Sequence, residues 1–151
     1  DRPSLEEEAA LSAIRFQDNQ AWLHRDAGQM PKRRAVWSSW VYQADTRAPE
    51  TQIGVTYWMN RLQNIPEGDP LFVTLNPARA IDPAKVYDQT TFRHPVFDHA
   101  AIAAQATLRK IAGQNNTWFA GAYTRHGFHE DGFASAMRIA RTLDSRERIA
   151  A

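Results

Sequence analysis

The feature that most constrains this chain is a change of rhythm. Between Ala35 and His94, short runs rich in aromatic and β-branched residues alternate with turns containing proline and asparagine. From Asp98 onward the spacing becomes helical. Strand signatures fall at Ala35 to Gln43, Gln52 to Trp58, Leu71 to Leu75 and Val86 to His94. Asp45 to Glu50 and Pro66 to Pro70 read as turns, and Met59 to Asn64 as a helical turn or strand exit. Such a series predicts an antiparallel meander. The end of the chain predicts a helix, a strand and a second helix, closer to a parallel α/β unit. One short chain therefore carries two architectures, and its predicted class is α+β.

The flanking segments fit this division. Ser4 with Glu7 forms a capping box, which predicts a helix to about Ile14. Phe16 to His24 reads as extended, with a hairpin at Asp18-Asn19. Asp98 is placed to cap a helix whose apolar line is Phe97, Ala101, Ala104, Leu108 and Ile111, with Gly113 just beyond its end. Thr117 to Tyr123 reads as a strand. The last helix is expected to start between Gly127 and Glu130. It lines up Phe133, Ala136, Met137 and Ala140, with Arg138 and Arg141 toward its negative end and fraying after Leu143.

Composition narrows the function classes. The 151 residues suffice for a real core, and 43% apolar with 23% charged is ordinary for a globular chain. A net charge of +1 gives no electrostatic reason to expect nucleic acid, and Lys32-Arg33-Arg34 reads as a solvated strand end. Without cysteine there are no disulfides, thiolate metal sites or cysteine nucleophiles, which fits a cytoplasmic location. No apolar run approaches the roughly 20 residues of a membrane span. The chain begins at Asp1 rather than methionine, from which a longer parent protein is expected.

The chemistry concentrates in Thr117 to Ala136. A strand ends at Gly121, a polar loop follows, and a helix opens with Gly127-Phe128-His129-Glu130. Amides at the start of a helix suit an anionic or electron-rich oxygen. Gly121 and Gly127 allow close approach to the backbone, and Ala134, Ser135 and Ala136 let the helix pack tightly. His126, His129 and Glu130 form a rival metal set, and His94, Asp98 and His99 a second. The first has neither of the usual zincin orders, the second is divided by Pro95 and has Asp98 placed as a helix cap, and no metal is expected. Ser38-Ser39 lacks a nucleophile elbow and reads as alternating strand residues, while Trp37, Trp40, Tyr57 and Trp58 are core by default.

The same stretch, FAG followed by a short loop and G-F-H-E-D-G, resembles the C-terminal flavin segment of the FAD-dependent amine-oxidase-like oxidoreductases. The segments DNQAWLHRD, MPKRRAVWSSWVY, VTYWMNRLQ, LFVTLNP and FRHPVFDHAAIAAQ look like the bacterial branch described as predicted NAD/FAD-binding oxidoreductases. The resemblance implies a substrate domain with a mixed or antiparallel sheet over residues 1–112. It implies a strand–turn–helix over residues 113–144 that completes an FAD domain, and a tail over residues 145–151. It implies hydride transfer between substrate and flavin, with the partner half that binds ADP lying upstream, because no G-x-G-x-x-G is present.

By the same resemblance Gly121, Ala122 and Tyr123 pass the ribityl chain. The amides of Phe128 and His129, with Gly127 and Glu130 beside them, face the pyrimidine end of the flavin. Tyr57, Asn60 and Arg61 fall on the substrate side, and the substrate is an amine or a lipid. Two positions depart from the family pattern: Ala122 stands where an acidic residue is common, and Thr124-Arg125-His126 replaces an aromatic and glycine-rich loop. The alternative is a cofactor-free α+β ligand-binding or interaction module. On either reading the isolated chain is expected to self-associate as a homo-oligomer, to bury the helix face around Gly132 to Ala136.

Overall fold

The computed structural model describes residues 2–44 and 53–150. The turn expected at Asp45 to Glu50, and Gln52 at the head of its strand, lie outside the described residues. The fold is α+β, with a five-stranded sheet and, among the described residues, four α-helices. The chain divides into two compact units, residues 18–93 and residues 1–17 with 94–151.

The sheet belongs to the first unit. Its order is β2-β3-β4-β1-β5, from β1 (Phe16–His24), β2 (Trp40–Gln43), β3 (Gly54–Trp58), β4 (Phe72–Leu75) and β5 (Val86–Pro95). β2, β3 and β4 form the expected antiparallel meander. β1 lies antiparallel on the other side of β4, with Trp22 opposite Thr74 and His24 opposite Phe72. β1 is one unbroken strand, so the expected hairpin at Asp18-Asn19 is absent. The strand expected over Ala35 to Gln43 shortens to Trp40–Gln43. Before it, Arg34–Val36 coils into a 3-10 turn and Ser38-Ser39 is loop, so neither serine alternates in a strand.

Alternation along the strands makes two unlike faces. One carries His24, Phe72, Thr74, Thr56 and Trp58, all buried. The loop after β1 folds over it. Met30 joins Trp58 and Phe72 in a core cluster, and Trp37 stands edge-on to Trp58 at 5.2 Å and to Phe72 at 5.8 Å. The Arg34 guanidinium lies 4.6 Å over the Trp37 ring. The other face carries Leu23, Val55, Tyr57, Val73 and Leu75, half-buried, with Trp40 and Tyr42 exposed. Trp40, expected in the core, is 50% exposed because its register puts it on this second face.

The second unit is helical. α1 (Leu5–Ser12) starts at the Ser4–Glu7 capping box. α3 (His99–Ile111) starts at Asp98, whose carboxylate accepts from the Ala101 amide at 2.9 Å. Gly113 follows it at φ 89, the left-handed conformation of a terminating glycine. Ala10 and Ile14 meet Ala101, Ala104, Leu108 and Ile111 in the core, with Phe119 and Tyr123 packed against them.

Thr117 to Tyr123 forms no strand. Residues 117–120 carry no strand assignment, and Ala122–Thr124 is a 3-10 turn. A strand exists only by pairing, and this segment spends its polar groups locally: Gly113 donates to the Thr117 carbonyl and Thr124 to that of Gly121. The expected helix–strand–helix is therefore helix–turn–helix. α4 (His129–Ala150) continues through the region expected to fray after Leu143. α2 (Met59–Gln63), back in the sheet unit, is the short helical turn expected there.

Candidate functional site

The turn between α3 and α4 is built by buried polar side chains. Gln105, on α3, donates to the carbonyls of Tyr123 at 3.0 Å and Arg125 at 2.5 Å. Ser135, on α4, accepts from the Gly121 amide at 2.9 Å and donates to the Gly132 carbonyl at 2.6 Å. These bonds fix both ends of the turn. Gly121 has φ 145, and a Cβ there would come within 2.6 Å of the Tyr123 ring. Gly127 has φ 93, with the Phe97 ring 2.8 Å from a notional Cβ. Both positions need glycine on conformational and steric grounds alike.

Asp131 organises the start of α4. Only 8% exposed, it accepts from the amides of His126 and Phe128, both at 3.2 Å. The Arg125 guanidinium lies 3.9 Å from its other oxygen. The Phe128 amide, expected to face a ligand, is thus spent on Asp131. The next two amides, of His129 and Glu130, have no acceptor among the described residues. The positive end of the 22-residue α4 therefore opens through these two N–H groups. Burial pushes the Tyr123 phenol above its usual 10.0, which keeps it a neutral donor beside the turn.

The expected cofactor residues thus come together. Gly121, Ala122 and Tyr123 form the 3-10 turn, the Gly127 amide donates to the Ala122 carbonyl at 3.1 Å, and Phe128, His129 and Glu130 open α4. His126, His129 and Glu130 do not converge. Among the described residues no three His, Asp or Glu side chains form a cation-binding group. Asp98 is engaged as the α3 cap and by Arg15 at 2.8 Å.

The residues expected on the substrate side lie in the sheet unit and have separate roles. Tyr57 sits on the open apolar face, its phenol pushed up by burial and then by neighbouring Tyr42. Asn60 is 4% exposed and turned into its own loop. It donates to the carbonyls of Pro66 and Asp69, both at 2.8 Å, and accepts from the Leu71 amide at 2.8 Å and the Trp58 indole at 3.1 Å. Arg61 points to solvent from α2.

The sequence pattern marks neither Asp131 nor Gln105 as a builder of the turn, and it marks Ser135 only as small. The spacing from Phe128 to Asp131 is that of a helix cap with a carboxylate at its third position, a legible signal. Gln105 sits mid-helix with no such pattern. Compared with known proteins, the chain matches no family profile and no curated sequence.

Proposed function

We propose that this chain is the C-terminal part of an FAD-dependent, amine-oxidase-like oxidoreductase, and that the turn from Gly121 to Glu130 holds the pyrimidine end of the flavin. The observation that carries this reading is the pair of unspent amides at His129 and Glu130, presented by a turn that only glycine at 121 and 127 permits. Two N–H donors at the positive end of a long helix suit a ring carbonyl that gains charge on reduction. When bound, FAD supplies the hydride acceptor. The chain's own part is to orient the ring through these amides, to seat it against the Gly121–Tyr123 turn, and to exclude water.

The open apolar sheet face suits the apolar part of an amine or lipid substrate, with Tyr57 its polar point. Asn60, whose hydrogen bonds are all made within its loop, supports that face rather than touching substrate. The exposed outer side of α4 favours self-association of the isolated chain. Titrating FAD against the chain tests the reading through flavin fluorescence. Saturable quenching is expected. Fluorescence that only dilutes, up to the solubility limit of FAD, would overturn the turn from Gly121 to Glu130 as a flavin site of this chain by itself and assign cofactor binding to the upstream half.

A further inference from the structure

The inner and outer sides of α4 differ sharply. Its buried line is Asp131, Ser135 and the half-buried Ile139. The apolar residues Phe133, Ala136, Met137 and Ala140 turn the other way. Phe133 is 63% exposed and Met137 37%. At 100° per residue, Phe133, Met137, Ala140 and Asp144 run along one line of the helix. Glu130 and Arg141 both flank that line on the same side.

We infer that this outer face pairs with the same face of a second copy, the two α4 helices running antiparallel. The inference rests on self-association of the chain and not on flavin binding. Its basis is self-complementarity. An antiparallel pair centred between Ala136 and Met137 sets each Phe133 against the small Ala140 of the other copy, and each Met137 against Ala136. In an antiparallel pair, residues flanking the seam on the same side face each other. Glu130 therefore meets Arg141 of the second copy, twice by symmetry. A parallel pair would leave Glu130 and Arg141 of one copy on the opposite side of the seam from those of the other, so that neither meets its complement.

Sedimentation equilibrium of the whole chain tests this, with far-UV circular dichroism as a check on helix content. The wild type is expected to be a dimer. Met137→Glu, at a solvent-facing position in the monomer, should leave helix content unchanged and weaken the dimer at least about tenfold. Glu130→Arg should weaken it about fivefold, and adding Arg141→Glu to that variant should restore wild-type affinity. A monomeric wild type, a dimer indifferent to Met137→Glu, or a double variant no tighter than Glu130→Arg would each overturn the inference.

Discussion

Asn60 shows how much one buried amide can organise. Its donors tie down the turn from Pro66 to Asp69, and its oxygen fixes Leu71 at the entry to β4 and Trp58 at the end of β3. Asn60→Ala would strand two donors and two acceptors at a buried position, each worth about 1–3 kcal/mol if unsatisfied. Water reaching the loop would recover part of this. The expected loss is about 3–4 kcal/mol of stability in the sheet unit, measured by urea unfolding followed through tryptophan fluorescence. A loss below about 1 kcal/mol would mean the loop is held by something else. Asp131 works similarly but with charge, gathering two amides and leaving the following two open.

At the scale of elements, a line of polar side chains crosses three strands beneath the sheet's covering loop. Nε2 of His24 on β1 lies 2.7 Å from the Thr74 hydroxyl on β4, which lies 2.9 Å from that of Thr56 on β3. Nδ1 of His24 accepts from the Asp26 amide at 3.0 Å, so the ring is neutral and Nε2 carries the hydrogen. Burial holds the His24 pKa below 6.5, while the Asp26 carboxylate pulls the other way. Lys85, 3.2 Å from Asp26, offsets that carboxylate. A base with a lowered folded pKa binds fewer protons folded than unfolded. Stability is then complete above pH 6.5 and declines as the pH falls below it. The urea midpoint should drop between pH 7 and pH 5, and His24→Gln should flatten that drop. An equal drop in the variant would assign the pH dependence to other groups.

The elements also show what could be read from the chain alone. Capping residues spoke plainly: Ser4 with Glu7, Asp98 and Gly113 each sit at a helix end, because caps are local chemistry. Strand pairing did not. Nothing near Phe16 says that β1 will lie between β4 and β5, and nothing near Thr117 says that an aromatic run will not form a strand. Pairing depends on distant residues. The α4 face shows the same dependence on distant residues. Its apolar side was legible, but Ser135 and Asp131 face inward because the turn from Gly121 to Phe128 offers them amides. For the candidate site, the glycines, the turn and the helix start were visible in the sequence. The diversion of the Phe128 amide to Asp131 was not.

At the scale of the whole molecule, the helical unit is proposed to offer an opening for a flavin ring. That central claim predicts which atoms respond. The most direct measurement is a two-dimensional amide NMR spectrum of the isotopically labelled chain, recorded while FAD is added. The largest shifts should fall on His129 and Glu130, with smaller ones at Gly121, Ala122 and Tyr123. The Phe128 amide, held by Asp131, should move less than its two successors. Shifts confined to the sheet unit, or none in the α3–α4 turn at saturating FAD, would contradict the account.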